Sequence, residues 1–120
     1  MKIVVLDGYA ENPGDLSWDP LRAFGEVTVY DRVSYEESPA IAEAIGDAEI
    51  VLTNKTPVSK ATIDRCPNIR MITVLAAKNC IITPHISWAA KESRQRIMDV
   101  TAGNIRAFLD GAPVNVVNGV

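Results

Sequence analysis

The only histidine of the chain, His85, lies in the segment Thr83-Pro84-His85, after an apolar run and directly before a long helical pattern. This order places the imidazole at the C-terminal end of a predicted strand, where α/β proteins usually hold their functional groups. A catalytic role is therefore one hypothesis for His85. The alternative is a structural or solvent-facing histidine, which is the commoner case for a single histidine.

Further polar residues follow other predicted strands. Lys55, in the run Thr53-Asn54-Lys55-Thr56, could point with Asn54 into a cleft and attract a carboxylate, or it could be a solvated loop charge. Asp7 follows the first strand, where its carboxylate could bind a ligand or cap the following loop. The serines that precede helical patterns are predicted to be N-caps and not nucleophiles, since no base accompanies them: Ser17, Ser38 and Ser59.

Composition indicates one globular domain of 120 residues, with 48% hydrophobic and 22% charged residues. The net charge of -3 and the pI near 5.1 argue against nucleic-acid binding, because no basic stripe is available to displace counterions. No apolar stretch is long enough for a membrane span, and the chain starts with a strand-like run instead of a signal peptide. We therefore expect a cytoplasmic protein.

No metal site is predicted. Cys66 and Cys80 are too few and too far apart for a metal cluster, and we expect buried thiols at both positions. A charged and polar run near the C-terminus is predicted to be a solvated helix face: Lys91, Glu92, Arg94, Gln95 and Arg96.

Up to residue 75, short apolar runs alternate with amphipathic segments. Strands are predicted at residues 2–7, 26–30, 49–53 and 70–75. The first is an unbroken apolar run, typical of a strand buried on both faces, and the second has the alternation of an edge or near-edge strand. Helices are predicted at 17–24, at 39–45 and between Ser59 and Pro67, while residues 8–14 are predicted to be a loop. This βαβαβαβ order predicts a parallel sheet with helices on both faces, which is a three-layer α/β sandwich.

A fifth apolar run, residues 80–82, breaks this order. Only four residues separate it from Leu75, whereas a parallel crossover needs about a dozen. Three arrangements stay open: an antiparallel hairpin at Lys78-Asn79, one continuous strand, or an exchange of the C-terminal part between two chains, which would give a homodimer. A long helix is then predicted over residues 88–110.

Two segments of the chain are similar to one enzyme family, the D-isomer-specific 2-hydroxyacid dehydrogenases, in their glycerate dehydrogenase (hydroxypyruvate reductase) branch. Residues 1–76 resemble the N-terminal part of that family through Val5-Leu6-Asp7-Gly8, residues 47–56 and Cys66-Pro67-Asn68-Ile69. Residues 77–120 resemble its C-terminal part through residues 79–89 and 113–118. The resemblance implies one flavodoxin-like substrate-binding domain over residues 1–120, from a parent enzyme that uses NAD or NADP.

In that family a nicotinamide-binding domain is inserted between the two segments, and here it is missing at about Ala76-Ala77. No Gly-x-Gly-x-x-Gly motif is present, so we expect no cofactor on this chain. By its motif His85 matches the catalytic acid/base of the family. The resemblance implies that the family's catalytic Arg, and the Glu that partners this histidine, lie in the missing domain. Ala76 stands where the family has a glycine-containing turn that holds the substrate carboxylate. Ala76, together with Asn54 and Lys55, is a candidate for substrate contacts.

The resemblance implies the substrate-binding half of a dehydrogenase, excised or engineered, and catalytically silent by itself. Two alternatives stay open. One is weak binding of small 2-oxo or 2-hydroxy acids, and the other is self-association of a structural module through apolar surface and a sheet edge that the missing domain would cover.

Overall fold

A computed structural model describes residues 1–74 and 91–116 of the chain. The strands in these ranges are β1 (Lys2–Val5), β2 (Glu26–Val29), β3 (Ile50–Thr53) and β4 (Met71–Val74). The helices are α1 (Gly8–Glu11), α2 (Asp19–Arg22), α3 (Pro39–Ile45), α4 (Lys60–Arg65) and α5 (Lys91–Leu109). The predictions for the fifth apolar run, Cys80, Ala76 and His85 lie outside the described residues.

The four strands form a parallel sheet in the order β2-β1-β3-β4. Val4 of β1 lies between Thr28 of β2 and Val51 of β3, which fixes the register of the three strands. Among the described strands β2 is at one end of this order, which agrees with the edge or near-edge position that its alternating pattern predicted. From β1 the chain turns first to β2 on one side and then to β3 on the other, and this reversal creates a switch point between β1 and β3.

The two central strands, β1 and β3, are buried on both faces of the sheet, because they carry apolar side chains at successive positions and these alternate between the faces. On one face Ile3, Val5 and Leu52 pack with α2 and α5. On the other face the core includes Val4, Leu6, Val51 and residues of α3. The predicted three-layer α/β sandwich with a parallel sheet is confirmed.

Serine residues lie at or next to the starts of α2, α3 and α4. Ser38 Oγ accepts the backbone N–H of Ala40, and Ser59 Oγ accepts that of Thr62, both at 3.3 Å. These two predicted N-caps are therefore confirmed. Ser17 Oγ accepts the N–H of Asp19 at 3.0 Å, but α2 begins after Trp18, so Ser17 lies one residue before the helix cap.

The structure corrects the prediction for residues 8–14. The chain forms the short helix α1 at Gly8–Glu11, where a loop was expected. Gly8 donates its N–H to the carbonyl of Tyr30 at 2.8 Å, and this bond holds the start of α1 against the segment that follows β2. A helix of four residues shows no apolar periodicity in a sequence, so tertiary contacts decide it.

Arg94 of α5 is also corrected, since it was expected on a solvated face. It is buried, and its two terminal nitrogens donate to the two carboxylate oxygens of Asp15 at 2.6 and 2.7 Å. Arg94 also donates to the carbonyl of Glu11 at 3.2 Å. The guanidinium thus joins α5 to the segment after α1. Its neighbours Lys91, Glu92 and Arg96 are exposed, as predicted.

Cys66 is buried and its thiol donates to the carbonyl of Ala42 at 3.6 Å, so the prediction of a buried thiol is confirmed at this position. Across the two described ranges, no helix combines the length and the apolar character that a bilayer crossing requires.

Candidate functional site

The carboxyl ends of β1 and β3 meet at the switch point of the sheet. Doubly wound α/β proteins bind their ligands outside this edge, so it is the first place to search for a site. β1 continues through Leu6 into Asp7, and β3 continues through Asn54 and Lys55 into Thr56. Because β1 and β3 are direct neighbours in the sheet, the Asp7 side chain reaches the segment that follows β3.

The Asp7 carboxylate is fully buried and accepts three successive backbone N–H groups. Its Oδ2 atom accepts from Asn54 at 2.8 Å and from Lys55 and Thr56 at 3.0 Å each. The Oδ1 atom accepts the Thr56 hydroxyl at 2.8 Å. The Thr53 hydroxyl donates to the carbonyl of Thr56 at 2.6 Å, and its oxygen lies 3.1 Å from Oδ2. We call Asn54, Lys55 and Thr56 the amide loop.

These contacts decide the charge of Asp7. Burial by itself raises the pKa of this carboxyl, but the hydrogen bonds from the amides of Asn54, Thr56 and Lys55 and from the Thr56 hydroxyl outweigh burial. The pKa of Asp7 therefore lies below its ordinary value, and the side chain is a carboxylate at neutral pH. Since its oxygens are already engaged by these donors, Asp7 is poorly placed to accept a proton from a substrate.

Asp7 was expected to bind a ligand or to cap the loop that follows it. The structure shows instead that it caps the loop after the neighbouring strand β3. Arg32 completes this cluster with its Nε atom 3.8 Å from Asp7 Oδ1. The guanidinium also stacks on the ring of Tyr35, with 4.3 Å from Cζ to the ring centroid.

The candidate substrate contacts Asn54 and Lys55 both lie at this edge. Their backbone N–H groups are bound to Asp7, while the Lys55 side chain is exposed and that of Asn54 is half-buried. The other two candidates, Ala76 and His85, lie outside the described residues. No observation tests the predicted roles of these four residues.

The sequence analysis missed Arg32, Thr53 and Thr56 as members of the cluster. A signal for the threonines was available, because hydroxyl residues flank the polar pair Asn54-Lys55 directly after a buried strand. Arg32 gave no such signal, since it lies in a polar loop after β2 and reaches Asp7 only through the folded sheet.

Two surface depressions of the described residues lie away from the amide loop. One, of about 210 Å³, lies between α3 and α4 and is lined by Glu37, Ser38 and Arg65 among others. A wider and more open one at the opposite edge of the sheet is lined by Lys2, Asp47 and Arg70 among others. Neither contains a residue that was predicted to bind substrate.

The described residues do not fit a nicotinamide dinucleotide at the end of β1. Such a cofactor needs free backbone amides and a close approach of its pyrophosphate to the backbone. Here the buried Asp7 charge would repel the pyrophosphate. A Cβ atom at Gly8 would lie 2.3 Å from Val29 Cγ1, so Gly8 is packed against β2 and not open to a ligand. That the chain carries no cofactor stays a prediction.

Within residues 1–74 and 91–116, no group of three or more His, Cys, Asp or Glu side chains is arranged to hold a metal ion. The prediction that the whole chain lacks a metal site is not tested beyond these ranges.

Comparison with known proteins gives two relatives with clear sequence similarity. The chain is 57% identical over 76 residues to a hydroxypyruvate reductase of Blautia hydrogenotrophica, a match that covers 63% of this chain and 24% of that protein. It is 49% identical over 39 residues to a glycerate dehydrogenase of Methylorubrum extorquens, across 32% of this chain and 12% of the relative. These two relatives support the assignment of the chain to the D-isomer-specific 2-hydroxyacid dehydrogenase family.

The chain spans about a quarter of the length of the reductase that it matches over 76 residues. Among solved structures, it is similar to a putative D-3-phosphoglycerate dehydrogenase oxidoreductase from Ralstonia solanacearum, with a TM-score of 0.52 and 24% identity. That match covers 66% of this chain and 24% of the other, and it supports the α/β fold alone. No family model matches the chain.

Proposed function

We propose that this chain is the substrate-binding portion of a D-2-hydroxyacid dehydrogenase and that it has no dehydrogenase activity by itself. The observation that carries the proposal is the 57% identity to a hydroxypyruvate reductase over only 24% of that protein. Hydride transfer needs a nicotinamide held against the substrate. The sequence has no Gly-x-Gly-x-x-Gly motif, and the edge of the sheet at Asp7 does not fit the dinucleotide.

In this proposal residues 1–120 form one domain, made of the family segments 1–76 and 77–120. His85 keeps the position of the family's acid/base by its motif. An imidazole without a cofactor or an orienting carboxylate has no hydride transfer to which it could couple a proton. The cytoplasmic location of the protein stays a prediction.

The test is an activity assay with hydroxypyruvate and NADH or NADPH. We expect no oxidation of the reduced cofactor above the rate of buffer alone, in the presence of either nucleotide. The Blautia hydrogenotrophica hydroxypyruvate reductase is the positive control. Measurable turnover by this chain that is lost in His85→Gln would overturn the proposal.

A second candidate function is weak binding of small 2-oxo or 2-hydroxy acids. The exposed Lys55 side chain at the switch-point edge favours it, because its ammonium group could pair with a ligand carboxylate. The backbone amides of the amide loop contribute nothing here, since Asp7 occupies them. Binding therefore depends on the Lys55 side chain in this proposal.

An NMR titration with hydroxypyruvate and with D-glycerate tests the second function. We expect small saturable shifts centred on residues 53–56 that disappear in Lys55→Met. Lys60→Met is the matched control, because Lys60 is an exposed lysine of α4 paired with Asp64. A spectrum that does not change at millimolar ligand would exclude this function.

A further inference from the structure

The amide loop is arranged as an anion-binding site. Three successive backbone N–H groups, from Asn54, Lys55 and Thr56, converge on one oxygen atom at 2.8 to 3.0 Å. Successive amides that point into one concavity form a site that favours negative charge. Thr56 adds its hydroxyl to the second oxygen at 2.8 Å, so the same residue contacts both oxygens of the bound group.

The group that occupies this site comes from the chain itself. Asp7 is separated from the amide loop by 47 to 49 residues along the chain, and it arrives there because β1 and β3 are adjacent. The carboxylate is fully buried, so no solvent competes for its hydrogen bonds. Hydrogen bonds to an ionised acceptor are stronger than those to a neutral one, and several of them here act on one group.

The consequence for the amide loop is conformational. Without the carboxylate, three buried or half-buried N–H groups and one hydroxyl would lose their acceptor, and each such loss is costly. The loop would then rearrange to satisfy these donors. Lys55 extends its side chain from the middle residue of this loop, so the position of its ammonium group depends on Asp7.

We propose that Asp7 is a positioning residue, a built-in carboxylate that occupies an anion site formed by Asn54, Lys55 and Thr56 and so holds the loop that carries Lys55. The site takes small carboxylates as a class, so formate or acetate occupies it when the Asp7 side chain is removed. This inference deepens the proposed substrate-binding function, because it concerns the same loop. Its test needs no substrate, and it therefore succeeds or fails separately from that function.

The experiment uses the full chain with Asp7→Ala, with formate as the probe. We expect the variant to lower Tm by roughly 10 °C, because several buried donors lose their acceptor. The backbone amide resonances of residues 54–56 should move towards the positions of amides without a charged acceptor. Adding sodium formate should return these resonances towards their wild-type positions in a saturable way and should raise Tm, whereas sodium chloride at equal ionic strength should not.

Asp47→Ala is the matched control, because it removes an exposed carboxylate that pairs with Lys2 at the other edge of the sheet. Formate should leave residues 54–56 of this control and of the wild type unchanged. The proposal is overturned if the amides of residues 54–56 keep their wild-type resonances in Asp7→Ala, or if formate acts no differently from chloride.

Asp7→Asn keeps the proposal testable if Asp7→Ala does not fold. The side-chain oxygen of asparagine can still accept the three N–H groups, but it carries no charge. We expect this variant to fold with a lower Tm and with shifts confined to residues 53–56 and to their direct neighbours. Wild-type resonances at residues 54–56 together with an unchanged Tm would show that the charge of Asp7 is irrelevant and would overturn the proposal.

Discussion

At the scale of single residues, Glu11 is the least satisfied polar side chain of the described structure. It is only 2% exposed, and its Oε1 atom has no hydrogen-bond partner there. Burial raises the pKa of Glu11 to about 7, against a smaller opposing effect of the Arg94 guanidinium. Glu11 is therefore largely a neutral acid at slightly acidic pH, and its ionisation opposes the packing of α1 at higher pH.

We predict that the stability of the protein falls between pH 5 and pH 8 because of Glu11. The Glu11 carboxyl binds a proton more tightly in the folded state, where its pKa is about 7, than in the unfolded chain, where its pKa is near 4.5. Its contribution to the free energy of unfolding is therefore complete below about pH 4.5 and is lost as the pH rises to about 7. A pKa difference of this size corresponds to about 3 kcal/mol. Urea unfolding of the wild type and of Glu11→Gln at both pH values measures it.

In Glu11→Gln this loss should vanish, because glutamine does not ionise. Glu36→Gln is the control, since Glu36 is exposed and its replacement should leave the loss in place. A wild-type free energy of unfolding that is flat from pH 5 to pH 8 would contradict the prediction. The same holds if Glu11→Gln keeps the wild-type slope.

At the scale of elements, the short helix α1 is held by close packing against the end of β2. A Cβ atom at Gly8 would lie 2.3 Å from Val29 Cγ1 and 3.1 Å from the carbonyl oxygen of Tyr30. Gly8 therefore allows the N–H to Tyr30 hydrogen bond that orients the start of α1. Gly103 is the opposite case, because it lies on the exposed side of α5 and a Cβ atom added to it would have no neighbouring atom within 4 Å.

We predict opposite effects of alanine at these two glycines. Gly8→Ala should destabilise the protein by about 1–3 kcal/mol, because the added methyl group must displace Val29 or the backbone at Tyr30. Gly103→Ala should stabilise it by up to about 1 kcal/mol, because alanine has the higher helix propensity. Chemical denaturation of both variants measures this difference. If Gly8→Ala and Gly103→Ala had equal free energies of unfolding, the close contact of Gly8 with Val29 would not limit the size of the side chain at this position.

At the scale of the whole molecule, β4 is the last strand of the described sheet and exposes part of its apolar side. Ile72 is 38% and Val74 is 56% exposed, and both lie on the same face of the strand. Exposed apolar side chains on a terminal strand favour pairing with a second chain. The homodimer that the sequence suggested stays a prediction, and this face of β4 is where we expect self-association.

Light scattering coupled to size-exclusion chromatography over a range of concentrations measures the mass directly. We expect a mass above that of one chain at high concentration, and a lower mass when Ile72 and Val74 are both replaced by threonine. Val100→Thr is the control, since Val100 is a comparably exposed residue of α5. A compact monomer at every concentration would contradict the prediction. An unchanged dimer in the double variant would place the interface elsewhere.

Local signals in the sequence were sufficient for much of the architecture. The unbroken apolar run Ile3-Val4-Val5-Leu6 predicted a strand buried on both faces, because successive side chains of a strand point to opposite sides. Ser38-Pro39 and Gly46 bounded α3 correctly, because the cap and the stop act on neighbouring backbone groups. The family resemblance also depended only on short runs of sequence.

Only the tertiary structure decided the partners of the buried charges. Asp7 and the amide loop are 47 to 49 residues apart, and Arg94 and Asp15 are 79 apart. Whether a charged side chain is solvated or paired depends on which strands and helices become neighbours, and no local pattern carries that information. The sequence by itself therefore determined most of the strands and longer helices and the family resemblance, while the packing of β1 on β3 decided that a strand-end carboxylate fills an anion site.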